Sequence, residues 1–192
     1  MEWAMALLLN HPEAIEKVKA EIDAHVPEDR LLEEKDLSNL TYLQNVVKET
    51  LRFYPPIPFL IPHEASEDCT VSGYSISKGT MLLVNLWAIH RDPKLWENPM
   101  EFKPERHEGR KQDQDYSLMP FGAGRRGCPG AVLGTRMLEL VLGTLVQAFE
   151  WERISEELVD MSEGKGFSLP KLKPLEAICR PREAIFRHHL IS

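Results

Sequence analysis

Apolar and polar positions recur along this chain with two different periods, and the changes of period mark its elements. Residues 2–9 are almost wholly apolar after Glu2 and read as the last turns of a helix. His11-Pro12-Glu13 then opens a charged amphipathic segment to about His25, in which Ala14, Val18 and Ile22 share one helical face. Residues 40–52 are more strongly periodic, and Pro55-Pro56 stops that helix. Residues 69–71 and 81–85 predict short strands around the turn signals Ser72-Gly73-Tyr74 and Lys78-Gly79. Pro93, Pro99, Pro104 and Pro120 punctuate an irregular stretch over 92–120. A helix over 130–149 follows, and 175–179 reads as a strand near a pocket. The fold class this predicts is mainly α with small antiparallel β sheets set to one side.

The 130–149 helix carries a second message. Leu133, Met137, Leu138, Leu140, Val141, Leu142, Leu145, Val146 and Phe149 cover nearly every face. A helix apolar all round belongs inside a large protein. Each Leu or Val left in water forgoes about 1.5–3 kcal/mol of burial, so a few such exposures rival a domain's whole stability of about 5–15 kcal/mol. The pattern predicts one partial domain over residues 1–192, part of a bigger fold.

Composition narrows the partners. The chain has 192 residues, 43% hydrophobic and 28% charged, which is the balance of a globular protein. A net charge of −7 without a basic stripe excludes nucleic acid as a partner. Cys69, Cys128 and Cys179 are far apart and odd in number, so they are neither a disulfide framework nor a zinc site, and they suit a reducing compartment. No run reaches the roughly 20 apolar residues that span a bilayer, and Met1-Glu2-Trp3 lacks the basic lead of a signal peptide. The polar loop 108–116 is the expected flexible segment.

The richest chemistry lies in Phe121-Gly122-Ala123-Gly124-Arg125-Arg126-Gly127-Cys128-Pro129-Gly130. A cysteine at a helix start is, alone, more often a buried structural thiol. Here Pro129 fits the first helical position, and the helix dipole and two guanidinium groups favour a thiolate, the form that ligates metals. Glycines let the backbone turn sharply and a flat partner come close, and Arg126 suits a carboxylate of that partner. A flat, dianionic, iron-bearing group is haem, and thiolate ligation favours O–O cleavage at its iron.

The pattern Phe121-x-x-Gly124-x-Arg126-x-Cys128-x-Gly130 resembles the haem-binding signature of the cytochromes P450. Glu49-Thr50-Leu51-Arg52, followed downstream by Phe102-Lys103-Pro104-Glu105-Arg106, resembles that family's Glu-x-x-Arg helix and Pro-Glu-Arg segment. His90-Arg91-Asp92-Pro93 and Trp96 resemble a further, mostly structural segment, and the 168–177 tail is similar to plant members of family 81, the isoflavone-hydroxylase-like group. The resemblance covers essentially the whole chain but only the C-terminal part of the P450 fold, from the end of its long central helix.

The resemblance implies haem b (iron protoporphyrin IX) as cofactor. Cys128 would be the iron ligand, with Phe121 shielding the sulfur and Gly122 and Gly130 in the same cradle. Arg126 and His63 would hold propionates. Glu49, Arg52 and Arg106 would form an ion triad that locks the loop carrying the thiolate. His107 stands where the family usually has Phe, which is expected to loosen packing there. Ile57, Phe59, Leu60 and Ile61, with Phe167 and Ser168, are the candidates for substrate contact. The implied function is a haem-thiolate monooxygenase at the cytosolic face of the endoplasmic reticulum. It acts on a small apolar or phenolic plant metabolite with O2 and electrons from NADPH–cytochrome P450 reductase, which Arg125, Lys103 and Lys111 would meet. No catalytic residue is expected within the chain, because the family's oxygen-activating threonine and N-terminal membrane anchor lie upstream of the matched part. The alternatives are a truncated, catalytically incompetent fragment and a non-enzymatic haem-binding protein.

Overall fold

The structure is a computed structural model, which describes residues 1–110 and 116–182. Helix α1 (Glu2–Asn10) is buried on nearly all sides. Helix α2 (Pro12–His25) begins at a proline whose missing N–H costs nothing at that position, and it buries Ala14, Ile15, Val18 and Ile22. A 3-10 helix (Glu34–Asn39) is closed by a capping box between Glu33 and Asp36 and leads into α3 (Thr41–Phe53). Glu21 on α2 accepts the free N–H groups of Tyr42 and Leu43 at the start of α3, which has no side-chain cap of its own.

Helix α5 (Ala131–Ala148) lies across this layer and completes the core, where Leu142 and Val146 meet Ile22, Leu32, Leu40, Leu43 and Val46. Gly143 permits the approach. A Cβ there would stand 2.5 Å from Leu32 Cδ2 and 2.8 Å from Leu43 Cδ2. The opposite side of α5 is bare. Leu133 is 68% exposed, Met137 50% and Val141 38%, and their four-residue spacing makes them one stripe. By length and composition α5 is also long and apolar enough to cross a membrane. That corrects the expectation that no stretch is. A count of uninterrupted apolar residues stops at Arg136 and Glu139, which a helix of this length tolerates.

The sheets are antiparallel two-stranded ladders. β1 (His63–Glu64) pairs with β4 (Met81–Leu82), and β2 (Cys69–Val71) with β3 (Tyr74–Ile76). β5 (Phe149–Glu152) pairs with β6 (Ile178–Pro181), in register Trp151 to Cys179. The tail strand therefore begins later than 175 and lies at the far end of α5 from Cys128, not beside a pocket near the thiol. The paired part of the predicted 81–85 strand ends at Leu82, and a short helix, α4 (Leu86–Ile89), follows directly and is capped by the Asn85 side chain. A second 3-10 helix (Pro104–His107) packs against α3. All three cysteines are free and exposed. The expected flexible loop 108–116 lies in large part outside the described residues, as does Lys111.

Substituting Gly143→Val should lower stability by about 1–3 kcal/mol through overpacking against Leu32 and Leu43. Chemical denaturation of the two chains measures it, and an unchanged midpoint contradicts this account of the α3–α5 contact.

Candidate functional site

The site is built around a carboxylate with no access to water. Glu49 and Arg52 share one face of α3 by their three-residue spacing, and both are 0% exposed. Arg52 grips Glu49 with both fork nitrogens, Nε to Oε2 at 2.9 Å and Nη2 to Oε1 at 2.9 Å. Arg106 Nε adds a bond to Oε1 at 3.0 Å, and the Lys103 backbone N–H donates to the same oxygen at 3.0 Å. Glu49, Arg52 and Arg106 therefore meet at one point.

His107 is a further member that sequence reasoning missed. It is 3% exposed, donates from Nε2 to Glu49 Oε2 at 2.8 Å, and sets its ring edge-on to Trp96. The expected loosening is thus corrected, because the imidazole exchanges ring packing for a bond to a buried charge. Burial would push the Glu49 carboxyl up, but the bonds from His107 and Arg52 outweigh it and hold it at about 2. Burial pulls His107 below its ordinary value, and Glu49 resists that.

The remaining guanidinium donors reach backbone carbonyls. Arg52 donates to His90 at 2.6 Å and Pro99 at 2.9 Å, and Arg106 to Glu97 at 2.5 Å and Asn98 at 3.1 Å. Glu105 ties the same segment outward, accepting from Lys17 at 2.5 Å. Among the described residues, the triad's bonds thus fasten residues 90–103, not the cysteine loop directly. That modifies the expectation that the triad itself locks the loop.

The cysteine loop is a backbone construction. Gly122 donates to the Met119 carbonyl at 2.9 Å, Gly127 to Gly124 at 3.1 Å, and Cys128 to Phe121 at 2.9 Å. Gly122 at φ +74° and Gly124 at φ +66° take left-handed turns that a side chain would strain. The Phe121 ring fills the space over Gly134, on the first turns of α5. Helix α5 starts at Ala131 with Gly130 as its cap, so Pro129 lies outside the helix and not at its first position. Cys128 stays close to that end, its carbonyl accepting from Ala131 at 3.3 Å. Cys128, Arg125 and Arg126 are exposed.

The donor set can be matched to a group. Among the described residues no cluster of three His, Cys, Asp or Glu side chains could hold a metal. One thiol therefore suits only a metal that brings its other ligands with it. The exposed stripe of Leu133, Met137 and Val141 begins a few residues beyond that thiol and suits an apolar face, while Arg126 is exposed and suits an acidic edge. A haem meets each of these requirements.

The other candidates are distributed as follows. His63 is half-buried in β1, opposite Leu82. Ile57 and Leu60 are half-buried, while Phe59 and Ile61 are exposed. Leu60 holds φ +52° and places Cδ1 4.0 Å from where a Cβ on Gly122 would be, so this segment abuts the cysteine loop. Phe167 and Ser168 are exposed. Leu169 donates to the Pro56 carbonyl at 3.0 Å and accepts from Trp3 Nε1 at 2.8 Å, bringing the two candidate substrate segments side by side. Together with α1, α3 and α5 they line a mainly apolar cavity of about 240 Å³, whose walls include Trp3, Leu51, Pro56, Leu142 and Ser168.

Comparison with known proteins agrees with this geometry. A family model described as Cytochrome P450 matches residues 1–176. The chain is 55% identical over 192 residues to cytochrome P450 81Q32 of Catharanthus roseus, covering 100% of this chain and 38% of that protein. It is 53% identical over 186 residues to the (+)-piperitol/(+)-sesamin synthase CYP81Q2 of Sesamum radiatum, covering 97% and 37%. It is 50% identical over 180 residues to the isoflavone 3'-hydroxylase of Medicago truncatula, covering 94% and 36%. A zebra fish cytochrome P450 structure with progesterone superposes at a TM-score of 0.85 with 39% identity, over 94% of this chain and 40% of that one. The chain thus spans well under half the length of the relatives it matches.

Two outcomes follow from the buried cluster. Glu49→Gln leaves Arg52 and Arg106 without their counter-charge and should cost about 3–5 kcal/mol by denaturant titration; a loss under 1 kcal/mol would place the charge elsewhere. Acid should act in two stages. Burial, with Arg52 and Arg91 as nearby cations, lowers His90 from 6.5 to about 4. The unfolded chain therefore takes that proton first, and the His90 contribution, complete above 6.5, falls by about 2 kcal/mol as pH drops from 7 to 5. The Glu49 contribution is present above about 4.5 and is lost only as pH falls towards 2. A stability profile flat between pH 7 and 5 contradicts the first stage.

Proposed function

This chain belongs to the cytochrome P450 family, and on that premise we propose that it supplies the haem-thiolate part of a monooxygenase, with Cys128 as the iron ligand. The observation that carries the reading is the loop around that thiol. Its amide is bonded to Phe121, its neighbours are turns that only glycine takes readily, and no group of three metal-binding side chains stands among the described residues.

When bound, haem supplies the activation of O2 and the insertion of one oxygen atom into substrate, and a thiolate on the iron favours O–O cleavage. The protein's part is to hold that thiolate in place. Cys128 Sγ, exposed to solvent, would release its proton to water on becoming the ligand. Its N–H is already committed to Phe121, so the residue cannot swing without breaking the turn. Phe121 packs over Gly134 beside the loop, where it would shield the sulfur once haem is bound. Arg126 and His63 would take the two propionates, one from the loop and one from the β1–β4 ladder. Ile57, Phe59, Leu60 and Ile61, with Phe167 and Ser168, would line the substrate side, since the structure sets these two segments together and the first of them against the loop.

The substrate class we propose is a small apolar or phenolic plant metabolite. The relatives' names support it, one being an isoflavone hydroxylase and another a synthase of piperitol and sesamin. Electrons would arrive from an NADPH-dependent reductase that meets Arg125 and Lys103, both of which are exposed. The working site would lie at the cytosolic surface of the endoplasmic reticulum.

Cys128→Ala should abolish the thiolate-type carbon monoxide spectrum of the hemin-loaded chain while leaving its circular dichroism unchanged. A variant that keeps that spectrum refutes the assignment of Cys128.

A further inference from the structure

The buried cluster and the cysteine loop share no direct bond among the described residues, yet one side chain touches both. His90 is 0% exposed and sits just after α4. Its ring Nδ1 lies 3.1 Å from the Arg52 carbonyl. A carbonyl can only accept, so Nδ1 carries the hydrogen. The neutral imidazole then has a bare Nε2, and the Met119 backbone N–H points at it from 3.3 Å. The two contacts agree on one tautomer. His90 is bound to Arg52 a second time, because the Arg52 guanidinium donates to the His90 carbonyl at 2.6 Å. Arg52 stands in the last turn of α3, where carbonyls have no partner inside the helix, so the ring also satisfies a helix end.

Met119 opens the loop. Its carbonyl accepts from Gly122, and Phe121, between them, accepts from Cys128. An unbroken series of hydrogen bonds therefore runs from Glu49 through Arg52, the His90 ring and Met119 to the turn that holds the thiol.

We infer that His90 is a positioning residue: its two ring nitrogens couple the buried Glu49–Arg52 pair to the loop carrying Cys128. The inference rests on the haem-thiolate reading only for what the loop is positioned to do. Neither nitrogen can be replaced by an apolar group of the same shape. Asn carries a donor near the Nδ1 position and keeps the bond to Arg52. Gln carries an acceptor near the Nε2 position and keeps the bond to Met119. Phe fills the volume and keeps neither.

The test compares His90→Gln, His90→Asn and His90→Phe in the full chain, each checked for folding by circular dichroism. Amide hydrogen exchange at Met119, read without haem, should be about tenfold faster than wild type in the Asn and Phe chains and close to wild type in the Gln chain. After loading with hemin, the thiolate-type share of the carbon monoxide spectrum should follow the same order. A residue that merely fills space would instead leave Phe as the best substitute. Equal exchange at Met119 in the Asn and Gln chains, or full protection in the Phe chain, overturns the inference. Should the Phe chain fail to fold, the Asn and Gln pair still decides it. Because the exchange is measured without haem, a wild-type chain that never gives a thiolate spectrum defeats the functional reading alone.

Discussion

Five hydrogen bonds converge on the carboxylate of Glu49, and they bring α3 together with the chain around residues 103–107. A charge buried this completely is costly unless each oxygen is fully satisfied. The chain satisfies it with groups from three places: Arg52 on the same helix, the Lys103 amide in an irregular stretch, and Arg106 with His107 in a 3-10 turn. None of these can leave without stranding the others in an apolar interior. The contribution of such a cluster to net stability is small, but its demand on geometry is strict. Proline-punctuated chain between residues 90 and 107, whose own backbone bonds form only isolated turns and one 3-10 helix, is thereby held in one conformation.

The cysteine loop is held by a different device. Its bonds are backbone to backbone, made possible by left-handed turns at Gly122 and Gly124. The cluster gives the loop a fixed anchor through His90, and the loop sets the thiol next to the start of α5. Beyond it the same helix turns one apolar side to the core and leaves the other bare. That bare stripe is the side that the proposed haem would meet. The burial deficit seen in the hydrophobic pattern and the exposed stripe seen in the structure are the same physical fact.

Much of this was legible from residues alone, and the limits have physical causes. The helices could be read because their apolar faces repeat over several turns. Spacing could set Glu49 and Arg52 on one face, as a solvated pair by default; their joint role with Arg106 came only from resemblance, since no local pattern brings Arg106 across the chain. His107 escaped because its value comes from a carboxylate far away in sequence. A histidine replacing an aromatic residue reads as poorer packing until its Nε2 is seen to have a partner. His90 escaped for the same reason on both of its nitrogens. The β1–β4 and β5–β6 ladders join segments well separated in sequence and are too short to show a period. For β5 a signal did exist: Phe149-Glu150-Trp151-Glu152 alternates apolar and acidic residues, and the preceding helix had absorbed its first position. Pro129 was misplaced because proline suits the residues just ahead of a helix as well as its first position, and only the Gly130 cap distinguishes them.

The central claim is the bond from Cys128 to a porphyrin iron, and X-ray absorption at the iron edge of the hemin-loaded chain under reducing conditions tests it most directly. The account predicts one sulfur in the first coordination shell of the iron, present in this chain and in the same chain lengthened to the span of its relatives. A first shell of nitrogen and oxygen alone in both would contradict it.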